Sequence, residues 1–435
     1  MPRSLKLPAP SLDIVHHTLA NGLRVVVAPD RSAPVVGIGV LYDVGIRSEP
    51  EGRAGFAHLF EHLMFQGSAN LEKLEHFRYV QSSGGVFNGS THFDYTNYFE
   101  VLPSNALERG LFLEADRMRS PRITEENLAN QLEVVKNEIR VNVMNRPYGG
   151  FPWIYLPSVL FDTFANSHNG YGGFEDLESA TTEDAKDFFK TYYAPANAVL
   201  AVAGDLDVDE TLELVEKHFG AIRRRRAPKR PSFAEPALSA ERRDTHHDAH
   251  APAPAVALGY RLADPVADLD GLLAKVLLCE VLSDGDSSRL QQRLVHRDHL
   301  VTDIAAYVGE FGDPFDERDP TTLTVTAHYP DAGSLDAILG GVDQEIADIA
   351  DGGLGADELD RVRTRLVSVS LRDLDAVMNR TLELAKFELI HGRAELLTEI
   401  PGRLADVTVE DVAAAAADLT PDRRAVLEVI AGGAR

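Results

Sequence analysis

The chain has 435 residues, of which 44% are apolar, and a formal net charge of −25. This length favours two or more domains with well-formed cores, and the acidic balance argues against a nucleic-acid partner and against anionic lipid. The single cysteine excludes an internal disulfide, and no run of about 18 apolar residues is present to span a membrane. Because the N-terminus also lacks the apolar core of a secretory signal, we expect a cytoplasmic protein.

The first half of the chain predicts an alternation of strands and helices. The segment "HHTLANGLRVVVAPDRSAPVVGIGVLYDVG" predicts two β-branched strands, and a helix carrying His58 follows. The segment "NYFEVLPSNALERGLFLEADRM" predicts a strand that passes through Pro103 into an amphipathic helix. A long helix capped by Thr124 is predicted for "TEENLANQLEVVKNEIRVNVM", and "YYAPANAVLAVAGDLD" predicts a turn and a buried strand.

A change of composition divides the chain. Residues 223–254 are rich in proline, alanine and charge, which predicts a linker between domains at 1–222 and 255–435. The order of strand, proline and helix recurs in "TLTVTAHYPDAGSLDAILGGVDQEI", and "LTPDRRAVLEVIAGG" repeats the closing strand. We therefore predict two homologous α+β domains, each with a largely antiparallel sheet of about five or six strands and helices packed on one face.

The stretch "HLFEH" places His58 and His62 one helical turn apart, so both imidazoles can reach one ion. Glu61 lies beside that face and is the candidate general base. A catalytic zinc ion usually has three protein ligands and an open position, so a third ligand must come from elsewhere. Glu138 is attractive because its helix face also carries Gln131. The alternative is an ordinary amphipathic helix that carries two histidines.

The order histidine, two residues, glutamate, histidine is that of the inverzincins. Together with "GGVFNGSTHFDYTNYFEVLP", "NQLEVVKNEIRVNVMNRPYGG" and "FFKTYYAPANAVLAVAGDLD", it resembles the pitrilysin/insulinase family of zinc metallopeptidases, and closely its bacterial two-domain branch related to mitochondrial processing peptidase. The resemblance implies that His58, His62 and Glu138 bind one Zn²⁺ per chain and that Glu61 activates the attacking water.

The resemblance also implies a way of binding substrate. The strand matching "FNGST" would be an edge to which a peptide adds as a further strand. Asn88 would bond the substrate backbone near the scissile bond, with Gly89 beside it, whereas the alternative is a hairpin turn at these two residues. Many family members carry a glutamate where this chain has Gln131, which would still hydrogen-bond in the outer shell of the metal but adds no charge.

A second departure concerns the C-terminal copy. Active relatives supply an arginine and a tyrosine after a serine-arginine-leucine signature, and here Val295 and Thr302 occupy those positions, although Arg293 or Arg297 is near enough to substitute after a register slip. The resemblance therefore implies a heterodimer with a homologous subunit that lacks zinc.

The function implied is a zinc-dependent endopeptidase subunit that hydrolyses peptides or flexible segments inside a chamber enclosed by two chains. The alternative is a non-catalytic peptide-binding or scaffold subunit of the same family. Five further histidines in polar, loop-like surroundings are expected to be solvated rather than ligands: His92, His168, His246, His247 and His250.

Overall fold

Two β-sheets organise the chain in the computed structural model, which describes residues 11–432. The strands of the N-terminal half are β1 (Val15–Thr18), β2 (Arg24–Pro29), β3 (Val35–Tyr42), β4 (Val86–Thr91), β5 (Thr96–Pro103) and β6 (Ala198–Gly204). Its helices are α1 (Phe56–Leu63), α2 (Glu75–Ser82), α3 (Leu107–Arg119), α4 (Glu125–Ile139), α5 (Leu156–Leu160), α6 (Phe164–Ser167), α7 (Phe174–Glu178), α8 (Thr182–Tyr192) and α9 (Val208–Phe219).

The C-terminal half repeats this arrangement. Its strands are β7 (Arg242–Asp248), β8 (Ala255–Leu262), β9 (Asp303–Val308), β10 (Thr321–His328) and β11 (Arg424–Ala431). Its helices are α10 (Leu269–Ser283), α11 (Leu335–Asp348), α12 (Ala356–Asp373), α13 (Val377–His391), α14 (Leu396–Asp406) and α15 (Val409–Ala417). None of the helices within residues 11–432 is long and apolar enough to cross a membrane.

The two sheets have matching strand orders. The first runs β1-β2-β6-β3-β5-β4 and the second β7-β11-β8-β10-β9, so the second reproduces the first without β1. Each sheet contains one parallel pair, β2 with β6 and β7 with β11, and its other pairs are antiparallel. The predicted α+β fold with largely antiparallel sheets is confirmed.

The two halves exchange helices, which the sequence did not reveal. Helix α13 of the C-terminal half packs on β3 and β6 of the first sheet, and α5 of the N-terminal half packs on β8 and β11 of the second. Gly37 on β3 permits this approach, because a β carbon there would lie 3.1 Å from Cβ of Thr381. We predicted helices on one face of each sheet. The structure also places a helix from the other half on the second face of each sheet.

The predicted linker is shorter than residues 223–254. Residues 223–241 carry neither helix nor strand, but Arg242–Asp248 form β7 at the edge of the second sheet, parallel to β11. This strand has the sequence "RRDTHHD", and Asp248 is its one buried residue. An edge strand without an apolar face gives no periodic signal, so composition alone assigned it to the linker.

A buried ion cluster joins the halves around Asp94, which is 1% exposed. Arg47 Nη1 lies 2.8 Å from Asp94 Oδ2, and Nη2 of the same guanidinium donates to the carbonyl of Pro320 at 2.5 Å. Arg230 also pairs with Asp94, and the Arg318 backbone N–H donates to it at 2.7 Å. Burial alone would raise the pKa of Asp94, but these three arginines hold it below its ordinary value.

Replacing Asp94 with Asn should lower the free energy of unfolding by about 3–5 kcal/mol, because the buried arginines lose their compensating charge. Urea unfolding of wild type and variant measures the difference. Asp187→Asn is the control, since Asp187 pairs with Lys190 on the surface with a side chain 64% exposed, and such pairs contribute little. Equal unfolding midpoints for the two variants would contradict a stabilising role for the cluster.

Candidate active site

Helix α1 presents its two histidines on one face. The helix begins after Gly55, and the apolar residues of "FAHLFEHL" pack into the core of the first half. This leaves the side chains of His58 and His62 15% and 20% exposed on the remaining face. Their ring centroids are 4.8 Å apart, as expected for positions i and i+4 of a helix.

The Glu138 carboxylate of α4 faces both imidazoles. Its Oε1 lies 3.8 Å from His58 Nε2, and its Oε2 lies 3.5 Å from His62 Nε2. The three donor atoms lie within 4.8 Å of one another. Two ligands of a tetrahedral zinc ion, each at about 2.0–2.2 Å from it, are about 3.4 Å apart, so this donor set fits zinc in both chemistry and spacing.

Burial and neighbouring groups shift the pKa of all three side chains. Burial lowers the pKa of His58 to about 4, which leaves its imidazole neutral at pH 7. Burial would raise the pKa of Glu138, but hydrogen bonding with His62 and the nearby His58 imidazole hold it well below its ordinary value. Burial opposes protonation of His62, but hydrogen bonds to Glu138 and, less strongly, Gln131 raise its pKa. Gln131 is itself buried in α4.

Glu61 lies on α1 next to the second histidine and is 8% exposed. Its Oε2 accepts a hydrogen bond of 2.6 Å from the Thr91 hydroxyl at the end of β4. Burial raises the pKa of Glu61 above that of an ordinary glutamate, which makes its carboxylate a stronger base.

The strand β4 is an edge of the first sheet, as predicted. It pairs with β5 on one side, with Asn88 opposite Phe99, and Asn88 itself is exposed. Asn88 and Gly89 lie inside this strand, so the alternative of a hairpin turn at these residues is excluded. Because Thr91 of the same strand reaches Glu61, the free edge runs directly beside the histidines.

Sequence reasoning missed the partners of two histidines. His168 is not solvated: its side chain is 6% exposed and its Nε2 lies 2.9 Å from Glu49 Oε2. His92 lies 2.8 Å from Asp316 of the other half and is 20% exposed. The prediction of solvated side chains was therefore wrong for both, because their carboxylate partners are far away in the sequence.

Tyr171 was also missed. Its hydroxyl donates to Glu138 Oε1 at 2.9 Å. The surrounding "NGYGG" predicts only a loop.

A second group of similar residues lies in the core of the first half and differs in electrostatics. His76 Nε2 and Glu100 Oε1 are 2.6 Å apart, which is closer than two ligands of one ion usually lie. Arg117 pairs with Glu114 and supplies a permanent cation. The short His76–Glu100 distance and the guanidinium make this cluster a poorer fit to a metal ion than His58, His62 and Glu138.

Comparisons with known proteins identify the class to which this two-domain fold belongs. A model described as insulinase (peptidase family M16) matches residues 24–148, and one described as the peptidase M16 inactive domain matches 179–366. The zinc protease PqqE of Helicobacter pylori is 33% identical over 296 residues, which are 66% of this chain. The match spans 64% of the length of PqqE, slightly under two thirds. The beta subunit of the Bos taurus mitochondrial-processing peptidase is 29% identical over 202 residues, 46% of this chain and 41% of that one.

The fold agrees with this class. The crystal structure of a protease from Helicobacter pylori matches with a TM-score of 0.87 and 26% identity, covering 97% of this chain and 100% of that one. The chain belongs to the pitrilysin/insulinase-like family, peptidase family M16. The insulinase match spans all the residues from His58 to Glu138, and the inactive-domain match covers mainly the half without the histidine motif.

The variants of the candidate ligands are His58→Ala, His62→Ala and Glu138→Gln. Each should lose the zinc that the wild-type chain is expected to retain through dialysis, because two donors hold a zinc ion far more weakly than three. Elemental analysis of dialysed protein measures the zinc bound per chain. His247→Ala on the exposed face of β7 is the control and should keep the wild-type content. Full zinc content in all three ligand variants would place the metal elsewhere.

Proposed function

We propose that this chain is the zinc-bearing subunit of a metalloendopeptidase. The observation that carries the proposal is the convergence of His58, His62 and Glu138 from two helices, with the buried base Glu61 beside them. Relatives named as zinc proteases support it.

His58, His62 and Glu138 would hold one zinc ion. Zinc bound in this way would polarise a scissile carbonyl and lower the pKa of a water molecule. Glu61 takes a proton from the attacking water, and its raised pKa suits it to this role near neutral pH. The Thr91 hydroxyl occupies Oε2 and so leaves Oε1 free to face the water. The same carboxyl can then deliver the proton to the leaving amine nitrogen.

The free edge of β4 supports an extended peptide as the substrate. A segment added there pairs through backbone N–H and C=O groups, which gives affinity with little dependence on sequence. The exposed Asn88 side chain lies on this strand and can bond the added backbone close to Glu61. Peptides and flexible segments fit this mode of binding, because a folded segment does not offer a free backbone.

A partner chain is the second part of the proposal. Val295 packs against the core of the C-terminal half, and the Thr302 hydroxyl donates to a backbone carbonyl at 3.1 Å, so neither supplies a donor for the substrate carbonyl. Arg293 is paired with Glu345 at 3.0 Å, and Arg297 with the adjacent aspartate at 2.9 Å. We propose that a homologous chain without zinc supplies the arginine and tyrosine in a heterodimer.

The alternative is a non-catalytic peptide-binding or scaffold subunit, and the inactive-domain match favours it. That match lies mostly outside the histidine-bearing half, which keeps all the ligand and base residues. The geometry therefore supports the peptidase better.

Glu61→Gln should reduce peptide hydrolysis by about 10²–10⁴-fold, the usual contribution of a general base, while zinc content stays at the wild-type level. Cleavage of a quenched fluorescent peptide and elemental analysis measure the two quantities. Glu133→Gln is the matched control, because Glu133 lies on α4 with its side chain 67% exposed and pairs with Lys136. Wild-type turnover in Glu61→Gln would remove Glu61 from its role.

The isolated chain should hydrolyse peptides about a hundredfold more slowly than the chain reconstituted with its homologous partner, because the oxyanion lacks donors in the isolated chain. Turnover at saturating peptide, measured with and without the partner, tests this expectation. Equal rates would show that the site is complete in one chain.

A further inference from the structure

One loop reaches both of the helices that carry the candidate ligands. Residues 166–172, here named the brace segment, begin in the last two residues of α6 and run past the N-terminus of α1 to the Glu138 side of α4. His168 acts on the first helix and Tyr171 on the second.

On the α1 side, Glu49 provides the cap that the helix itself lacks. The N-terminal residue Gly55 makes no side-chain capping bond. Instead, Glu49 Oε2 accepts from the Gly55 N–H at 2.9 Å, and Oε1 accepts from the Ala57 N–H at 2.6 Å. His168 Nε2 lies 2.9 Å from Oε2, and its Nδ1 lies 2.6 Å from the Phe164 carbonyl. The imidazole therefore fixes the carboxylate that satisfies the first amides of α1.

The backbone of the brace segment is in direct contact with the start of α1. Gly55 and Gly172 both have left-handed conformations, with φ of +84° and +69°. A β carbon on Gly55 would lie 2.6 Å from the Tyr171 carbonyl carbon, and one on Gly172 would lie 2.9 Å from the Gly55 nitrogen. Only glycine at both positions allows this approach without a shift of the backbone.

On the α4 side, Tyr171 orients the carboxylate ligand. Its hydroxyl donates to Glu138 Oε1 at 2.9 Å, and its ring centroid lies 5.0 Å from that of His58. The ring centroid of Trp153 lies 5.4 Å from that of Tyr171. The phenol therefore contacts both an aromatic side chain and one imidazole, and its hydroxyl donates to the carboxylate.

The start of the brace segment is anchored in the interdomain cluster. Asn166 is fully buried, and its Oδ1 accepts from Arg47 Nε at 2.8 Å. Its amide nitrogen donates to the Phe233 carbonyl at 2.7 Å. Arg47 also pairs with Asp94 and donates to the Pro320 carbonyl of the C-terminal half. The start of the brace segment is therefore fixed by buried contacts between the two halves.

We propose that the brace segment sets the separation and orientation of α1 and α4 and thereby the metal affinity of the site. His168 and Tyr171 are positioning residues: the first acts through Glu49 on α1, and the second acts through Glu138. The proposal rests on the zinc-binding role proposed for His58, His62 and Glu138. Replacing a residue that hydrogen-bonds to a metal ligand typically lowers the metal affinity by 10–100-fold.

Tyr171→Phe removes only the hydroxyl. The zinc dissociation constant, measured by competition with a chelator, should rise about tenfold, while the unfolding midpoint of the metal-free protein stays unchanged. The absorption spectrum of the Co²⁺ form should also change, since it reports the arrangement of ligands. Tyr192→Phe is the matched control, because the Tyr192 hydroxyl makes only a 3.4 Å contact with the Ser48 carbonyl. An unaltered dissociation constant and Co²⁺ spectrum in Tyr171→Phe would overturn the proposal.

His168→Ala tests the other contact. Hydrogen exchange at the Gly55 and Ala57 amides should accelerate in the metal-free chain, and zinc should bind more weakly. His168→Gln, which keeps one N–H donor for Glu49, should restore both properties in part. Unchanged hydrogen exchange at these two amides in His168→Ala would overturn the role of His168 in capping α1. The zinc site would be refuted separately if the wild-type chain bound no zinc. Faster exchange in His168→Ala would then still support the capping role.

Discussion

The site depends on one constraint, the distance between the Glu138 carboxylate and two imidazoles one helical turn apart. A helix as short as the eight residues of α1 is marginal alone, because nucleation costs more than so few hydrogen bonds return. Its geometry comes from the packing of Phe56, Leu59 and their neighbours and from the cap supplied by Glu49. The position of His58 and His62 is therefore a property of the tertiary structure, although the motif itself is local.

The second half of the chain contributes to this constraint although it carries no ligand. Helix α13 covers the face of β3 that the first half leaves open. Asp94, Arg47 and Arg318 connect the loop after β4 with the loop before β10. Since β4 also carries Thr91, the hydrogen bond that holds Glu61 is tied to contacts across the two halves. The duplicated units consequently form one structure, and neither sheet is fully covered without the other half.

Local patterns predicted the parts of the molecule that are encoded locally. The i, i+4 spacing predicted that His58 and His62 lie on one face of a helix, as they do. Thr124 caps α4 as predicted, because its hydroxyl accepts a 3.1 Å hydrogen bond from the Asn127 N–H. The repeated order of strand and helix indicated two similar sheets. The bond from Tyr171 to Glu138 spans 33 residues, and that from His168 to Glu49 spans 119. Such contacts leave no periodic trace, and neither does the polar strand β7.

The two histidine–glutamate groups show how surroundings give similar side chains different electrostatics. His76, Glu100 and Glu114 resemble the candidate ligands in type, but Arg117 pairs with Glu114 and stacks on Tyr98 at 4.3 Å inside the core. Glu138 is 28% exposed, and its ion-pair partners within residues 11–432 are the two imidazoles. Burial lowers the pKa of His58. Burial also opposes a charge on His62, but its hydrogen bond to Glu138 raises its pKa. Neither imidazole is a permanent cation that compensates this carboxylate. A divalent ion would supply that charge, and the solvent access of Glu138 would give it a path to the site.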